Sequence, residues 1–515
     1  MGEEFELKLA VAPEDVERFR RQPILRALRE RPASTKHLVS TYYDTPRFEL
    51  RHKAVALRVR QIGHERIQSI KREAAAGKNR LARQEWERSI DGDRPDLSAL
   101  DDPELRRLIS PHNERGELAP VFVTDVQRQV WPLRMGSSQI ECALDVGEIK
   151  ANGKSEPVCE VELELKSGAP ARLFELARRL HAAVPLRIEP TSKAERGYCL
   201  ASGAAPAPRK ATAVELDSAM SVREAIATAA RACMVHIVGN ADCADQGKDP
   251  EGVHQLRVGL RRLRAALSVF GEALPERERK ALAGQLRWLQ REMGPAREWD
   301  VFIDGTLKAL AKRLADGGAL ESVSAAAEAA RAAAYERARA ALADPRYTDL
   351  LLQLEAWLDR GLVRAAVGEA GRAAAELLDT PVLSFSAEVL RARHAKAHKL
   401  GAKLKKLDEA HLHEFRIRVK KLRYAIEFFR NLYTDKAAKR YIASLKELQD
   451  VLGTANDALV AHDLIPQIEA GAGPQAARAL GQLEGWCLAA VKSDRRRLQA
   501  LWQDFAKLKP FWKTG

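Results

Sequence analysis

Two stretches of this chain, VHQLRVGLRRLR from Val253 and LHEFRIRVKKLR from Leu412, carry one pattern at a constant offset of 159 residues. That offset pairs His254 with His413, Arg257 with Arg416, Arg261 with Lys420, Arg262 with Lys421 and Arg264 with Arg423. It continues downstream without a gap. Leu289-Gln290 pairs with Leu448-Gln449, Gly294 with Gly453, Arg297-Glu298 with Asn456-Asp457, and Asp304 with Asp463. One fixed offset held over about fifty residues predicts two structurally equivalent helical units, related by a pseudo-twofold axis.

Each copy places its charges on one helix face. His254, Arg257, Arg261 and Arg264 stand at i, i+3, i+7 and i+10, which is a single stripe, with Arg262 beside it. His413, Arg416, Lys420 and Arg423 repeat the stripe, with Lys421 beside it. Leu256, Leu260, Leu263 and Leu267 supply the opposite face. A solvated face is the default for one such helix. Stacked like charges weaken an isolated helix, however, and two equivalent helices that both keep them point to an anionic ligand shared between them. An adjacent anion would raise the pKa of His254 and His413 and favour their charged forms.

The chain changes character near residue 205. Residues 201–213, ASGAAPAPRKATA, are small, Pro-rich and basic, a linker composition. The expected division is a first domain over 1–202, a linker over 203–214 and a helical domain over 215–510. Within the latter, 319–345 is especially Ala-rich. Before the linker, short alternating runs separated by Gly, Pro and Asp read as strands: Glu4 to Leu9, Ala54 to Gln61, Arg66 to Lys71, Gln139 to Val146 and Val158 to Leu165. Helical stretches lie near Pro13 to Arg29 and Ala169 to Ala183. The predicted class is α+β multidomain: an antiparallel sheet with a few helices, then an all-α double bundle.

The strands alternate charge with apolar side chains. Glu4, Glu6 and Lys8 share one face of the first strand; Phe5, Leu7 and Leu9 share the other. Glu160, Glu162 and Glu164 do the same, as do Glu85 and Glu87, and in basic form Arg58 and Arg60, with Lys71 ending another strand. One strand of this kind is ordinarily half-solvated. Several together, with opposed like charges, need cations between the carboxylates. A polar interior holding a divalent metal and a polyanion meets that need: carboxylates suit Mg²⁺ or Mn²⁺, and Arg and Lys suit phosphate oxygens.

Composition supports this direction. Of 515 residues, 46% are apolar, enough for packed cores, and 85 Lys plus Arg against 71 Asp plus Glu leave a net charge of +14. The excess predicts a polyanionic partner. Single-strand nucleic-acid binders interleave aromatics with basic residues for base stacking. The basic stripes here have aliphatic backing, so a base-free polymer is favoured over nucleic acid. Cys142, Cys159, Cys199, Cys233, Cys243 and Cys487 form no C-x-x-C pair and are expected as reduced thiols without zinc. No run of about 18 apolar residues predicts a membrane span. The acidic start, Met1-Gly2-Glu3-Glu4, fits no secretory leader and Glu6 breaks the myristoylation pattern, so a cytoplasmic location is expected.

Glu4-x-Glu6-x-Lys8 resembles the E-x-E-x-K signature of the CYTH superfamily, the triphosphate tunnel metalloenzymes. Further segments match in order: Tyr42-Tyr43-Asp44-Thr45, Leu57-Arg58-Val59-Arg60, Lys71, Arg83 with Glu85 and Glu87, Arg128, Glu141 to Asp145, Glu160-x-Glu162-x-Glu164, and Ser192-Lys193 before Arg196-Gly197-Tyr198. The resemblance covers about residues 1–200. It implies a closed eight-stranded antiparallel β tunnel that binds a linear triphosphate. Lys8, Arg58, Arg60, Lys71, Arg128 and Lys193 would grip phosphates. Glu4, Glu6, Asp145, Glu160, Glu162 and Glu164 would hold Mg²⁺ or Mn²⁺, and alternation alone leaves open which of the last three are ligands. Glu4, Glu6, Lys8, Glu85 and Glu87 form the implied catalytic set, with Glu85 and Glu87 orienting the basic residues. In-line attack on the terminal phosphorus would release orthophosphate. No G-x-x-x-x-G-K-[ST] loop is present, so P-loop chemistry is not expected.

The second half is similar to the CHAD domain, over about residues 215–510, through H-x-x-R-x-x-x-[RK]-[RK]-x-R twice, each followed by L-Q-x-x-x-G. Glu298 departs from the aspartate common there. The resemblance implies a basic channel for inorganic polyphosphate, lined by His254, Arg257, Arg261, Arg262, Arg264, His413, Arg416, Lys420, Lys421 and Arg423. The leading expectation is an inorganic triphosphatase with an attached polyphosphate-binding domain, and the resemblance implies association with polyphosphate granules. The alternatives are a non-catalytic polyphosphate-binding protein, a nucleotide or thiamine triphosphatase, or a class IV-type adenylate cyclase.

Overall fold

The computed structural model describes residues 5–72, 84–100, 102–312, 317–361, 369–433 and 435–512. The chain forms two compact units. One comprises residues 1–206 with 348–360, the other 207–347 with 361–515.

The first unit is built on one antiparallel sheet. Its strands are β1 (Phe5–Val11), β2 (Ser34–Asp44), β3 (Val55–Ile62), β4 (Glu65–Arg72), β5 (Gln84–Ser89), β6 (Ala119–Met135), β7 (Ser138–Ala151), β8 (Lys154–Ser167) and β9 (Leu186–Ile188). Their order is β5-β4-β3-β2-β6-β7-β8-β1-β9. The expectation of a closed eight-stranded tunnel is therefore corrected: the sheet has nine strands and, among the described residues, does not close. The added strand β9 pairs with β1 through Leu9, Ala10 and Val11. β8 takes the other edge of β1, and no pairing joins β5 to β1 among the described residues.

Register sorts the side chains. Residues directly opposite in an antiparallel pair share a face. Lys8 lies opposite Glu162 and Glu6 opposite Glu164. Asp145 lies opposite both Arg128 and Glu160. Arg58 faces Tyr42, Arg60 faces Ser40, and Lys71 is level with Glu85. The charged residues thus collect on one face of the sheet. On the other, Leu9, Leu144, Val161 and Leu163 pack with Leu173, Leu176 and Leu180 of the helix Pro170–Ala183. Leu57, Val59 and Ile70 pack with Leu105 and Ile109 of the helix Pro103–Glu114. Each such side chain contributes about 1.5–3 kcal/mol when fully buried. A one-residue slip would send every charge into these cores, so burial locks the register.

The helix Lys193–Ser202 begins at Ser192, whose side chain accepts from the Glu195 amide. It presses on the sheet at Gly197. A Cβ there would stand 2.2 Å from the Phe122 ring. Gly197→Ala is accordingly expected to destabilise the chain by about 1–3 kcal/mol, read as a lowered thermal midpoint. An unchanged midpoint would show that this close approach is not what seats the helix.

The second unit is helical, and both basic stripes lie on its helices, Pro250–Val269 and Glu409–Phe429. Each is N-capped by an aspartate at the equivalent repeat position, Asp249 donated to by Glu251 N and Asp408 by His411 N. The repeats then diverge. In the first, the following helix breaks at Met293 into Glu276–Glu292 and Gly294–Val301. In the second, one helix, Asp435–Ala472, runs through the same place. Pro295 occupies the break and Thr454 its equivalent. Proline lacks the amide hydrogen and its ring clashes with the carbonyl four residues back, which explains the interruption.

All six cysteines are free thiols. No helix among the described residues is long and apolar enough to cross a membrane.

Candidate functional site

The charged face of the sheet has two poles. The acidic pole gathers Asp145 from β7 and Glu160 and Glu162 from β8, with carboxylate oxygens within 4.8 Å of one another. All three are buried. Buried carboxylates require cationic partners, and Lys193, Arg128, Lys8 and Arg196 converge on these. Lys193 Nζ stands 2.7 Å from Asp145 Oδ2 and 2.9 Å from Glu162 Oε1, and also pairs with Glu160. Arg128 donates to both oxygens of Asp145, at 2.7 and 2.6 Å, and to Glu162. Lys8 lies 3.5 Å from Glu162 and 3.7 Å from Glu6.

The carboxyls respond unequally. Burial pushes all three up, but for Glu162 it is outweighed by Lys193, Arg128 and Lys8, which hold its pKa well below the usual range. For Asp145, Lys193 and Arg128 likewise overcome burial. For Glu160 burial prevails and the pKa is raised. The Lys193 ammonium itself is stabilised: burial opposes it, and Glu162, Asp145 and Glu160 raise its pKa nonetheless.

The basic pole lies on β2 to β5. Arg58, nearly buried, directs Nη1 to the Tyr42 hydroxyl at 3.4 Å and lies 3.7 Å from Glu87. Arg60 donates from Nε to Ser40 Oγ at 3.2 Å. Ser69 donates to Glu87 at 2.9 Å. Burial and the neighbouring Arg58 press the Arg60 pKa down to about 10. Burial pushes the Tyr42 phenol up, yet Arg58, Arg60 and Lys71 together leave its pKa lowered. Guanidiniums crowded in this way repel one another, and an added anion relieves that repulsion.

Several predicted residues fall outside this arrangement. Glu164 pairs with Lys166 and is not in the three-carboxylate group. Glu4, Arg83 and the side chain of Glu85 lie outside the described residues. Three positions quoted in the motifs but given no role acquire one. Arg196, one helical turn after Lys193, donates to Glu156 at 2.7 Å and to Glu160 at 3.4 Å. Tyr42 stacks on Phe122 with ring centroids 4.4 Å apart. Asp44 accepts from the amides of Thr45, Leu50 and Arg51 at 2.7, 2.9 and 3.0 Å, which fixes the turn after β2. The i, i+3 spacing of Lys193 and Arg196 is the signal that could have found Arg196. A second group, Glu49, His112 and Glu117, also brings ligand atoms within 4.8 Å. Arg115 already occupies it, donating to both Glu117 oxygens at 2.8 Å.

In the second unit the two stripes face each other. Arg261 of the first repeat is felt by Arg416 and Lys420 of the second, and Arg264 by Lys421. The repeats use matching contacts: Arg264 donates to Gln290 and Arg423 to Gln449. Arg257 interacts with Glu298 as Arg416 does with Asp457, so glutamate at 298 keeps the pairing. His254 Nδ1, Arg257 Nε and Arg416 Nε are buried without a hydrogen-bond partner among the described residues. Arg262 does not share this surface. It is buried, about 100° around the helix from Arg261, and donates to the Thr212 carbonyl at 3.0 Å. His413 is exposed, whereas His254 is half-buried.

Comparison with known proteins matches the family model of the CYTH domain to residues 2–198 and that of the CHAD domain to residues 228–466. A curated protein named inorganic triphosphatase, from Haemophilus influenzae, is 31% identical over 205 residues, which is 39% of this chain and 56% of that protein. The chain thus matches little more than half the length of that relative. The crystal structure of the CHAD domain from the plant Ricinus communis aligns with a TM-score of 0.50 at 34% identity, covering 58% of this chain and 96% of that one.

Proposed function

From a chain that carries a CYTH domain followed by a CHAD domain, we propose metal-dependent hydrolysis of inorganic triphosphate on the charged face of the sheet, with inorganic polyphosphate bound by the helical unit. The observation that carries the first part is the pairing of a three-carboxylate group with a separate, crowded basic pole on one face. Asp145, Glu160 and Glu162 are hard oxygen donors close enough to share one ion, a set that suits Mg²⁺ or Mn²⁺. A bound divalent ion would neutralise phosphate charge and lower the pKa of water.

The chain's own residues do the rest. Arg58, Arg60 and Lys71 bind and orient the phosphates away from the carboxylates, and the Tyr42 hydroxyl adds a donor beside Arg58. Lys8, Lys193 and Arg128 hold Asp145 and Glu162 ionised and stabilise charge that develops on the transferring phosphoryl group. Glu6 positions Lys8, and Glu87 positions Arg58. Glu4, Glu85 and Glu164 remain candidates for ligand or orienting roles from the family motif. Attack by water on a terminal phosphorus yields pyrophosphate and orthophosphate. The test is orthophosphate release from tripolyphosphate, ATP, thiamine triphosphate and long-chain polyphosphate with Mg²⁺ or Mn²⁺. Selective tripolyphosphate turnover is expected. Tight polyphosphate binding with no turnover of any substrate would leave a binding protein.

For the helical unit, the unsatisfied buried donors of His254, Arg257 and Arg416 favour an anionic ligand between the stripes. Burial, with Arg416 and Arg261, lowers the Lys420 pKa to about 8. Burial, then Arg297, lowers that of His254 to about 4. Without ligand, the folded chain therefore binds fewer protons at these sites than the unfolded chain. Their contribution to stability rises with pH between about 4 and 6.5 for His254, and between about 8 and 10.5 for Lys420. A polyanion restores both charges. Polyphosphate affinity is expected to rise as pH falls through each window, by up to about tenfold per pH unit. His254→Ala should remove the rise in the lower window alone. A flat pH profile at fixed ionic strength would count against the assignment.

A further inference from the structure

The acidic pole already contains a cation at its centre. Lys193 Nζ contacts Asp145 Oδ2 at 2.7 Å, Glu162 Oε1 at 2.9 Å and Glu160 more closely still. These are the same three residues whose oxygens lie within 4.8 Å of one another. A point that touches three converging carboxylates is where their negative potential is deepest, and it is where any competing cation would sit.

We propose that Lys193 is an exchangeable internal counter-ion of this carboxylate group, which a divalent ion must displace in order to bind. The inference rests on the metal reading given above and adds a competitor to it. Three observations support the exchange. First, the carboxylates are already compensated: Asp145, Glu160 and Glu162 contact Lys193, Arg128 and Lys8, and Glu160 also accepts from Arg196. An added divalent ion would raise the positive charge of the group by two unless a cation moves. Second, Lys193 is the cation free to move. Arg128 is held by a two-point contact with Asp145 on the adjacent strand. Lys8 stands farther off, 3.5 Å from Glu162, and is shared with Glu6; Arg196 is also held by Glu156 and the Pro157 carbonyl. Lys193 instead reaches in from the first turn of a helix on four flexible methylenes, as a compact point charge. Third, its helix start is a favourable place for the anion it would follow. Amide groups at a helix N-terminus carry partial positive charge, which favours a phosphate there and so gives the ammonium an anion to follow.

The consequence is competition between the chain and the metal. Substrate phosphate that draws Lys193 away would open the carboxylates, so metal and triphosphate bind together better than metal alone. Removing the ammonium should open them without substrate.

The test is a titration of the full-length chain with Mn²⁺ alone, the free ion followed by electron paramagnetic resonance. Lys193→Met and Lys193→Gln are expected to bind Mn²⁺ at least about tenfold more tightly than the unaltered chain, one unit charge at contact range being worth that much even at surface-like screening. Lys193→Arg, which keeps the charge, should bind as weakly as the unaltered chain. Glu162→Gln reports whether the measured ion sits in this group. Tightening in the Met and Gln variants but not in Arg, abolished by adding Glu162→Gln, supports the exchange. Glu162-dependent binding that is equal in all four chains overturns it and leaves the metal reading standing. Absence of any Glu162-dependent binding, in the Met variant as in the unaltered chain, overturns both. Circular dichroism of each variant excludes misfolding as the cause, and the Gln variant keeps a polar side chain if Met perturbs the helix start.

Discussion

Glu162→Gln is expected to lower tripolyphosphate turnover by about a thousandfold, the scale of removing one preorganised charge from a dry site, while Glu164→Gln lowers it by less than about tenfold. The two residues share a strand, a face and a motif. They differ in what surrounds them. Glu162 is 9% exposed and touches Lys193, Lys8 and Arg128. Glu164 pairs with Lys166 outside the group. Glutamine matches glutamate in shape, so the loss would report charge and ligand character rather than a cavity. Breaking a buried pair also destabilises, by about 3–5 kcal/mol where the partners stay buried. A thermal melt is therefore needed beside the kinetics, with assays run well below the midpoint. Equal losses in both variants would mean that the geometry does not rank the glutamates. Full activity in Glu162→Gln would remove the carboxylate group from the mechanism.

The paired variant Arg257→Ala with Arg416→Ala is expected to weaken long-chain polyphosphate binding by a hundredfold or more, about 1.4 kcal/mol per decade. Tripolyphosphate turnover should stay near that of the unaltered chain. The two arginines occupy equivalent repeat positions, each interacts with an acidic partner, Glu298 or Asp457, and each leaves a buried Nε unsatisfied. Two lost phosphate contacts should also flatten the dependence of log affinity on log salt by about 1.5 units. Arg257 additionally donates to the Gln290 carbonyl at 3.0 Å, so Arg257→Lys serves as a milder control. If turnover and polymer binding fell together, the division of labour between sheet and helices would be wrong.

Much of the two-part organisation was legible. Alternation at period two assigned Lys8, Glu162, Arg58 and Arg60 to the polar face, and pairing register places them there. The offset of 159 foretold that Arg264 and Arg423 would make matching contacts, with Gln290 and Gln449. Other features were not legible. The expected closed eight-stranded tunnel is, among the described residues, a nine-stranded sheet that does not close, and its ninth strand, β9, spans three residues, too few to register as a periodic run. Arg262 and Arg261 are neighbours in sequence, yet one bonds the Thr212 carbonyl and the other faces the second repeat. A pattern of charges does not say which side of a helix will be covered.

The sequence by itself determined which residues share a face, since that follows from the fixed geometry of strand and helix. It also determined that the two repeats would make matching contacts, Arg264 with Gln290 and Arg423 with Gln449. Only the tertiary structure decided which faces meet. Lys193 reaches Asp145, Glu160 and Glu162 because Gly197 lets its helix press against Phe122. Arg261 meets Arg416 and Lys420 because the two basic helices, one from each repeat, pack together. Such contacts join segments far apart in the chain, and burial of the apolar faces, on which the charges have no direct say, brings them together.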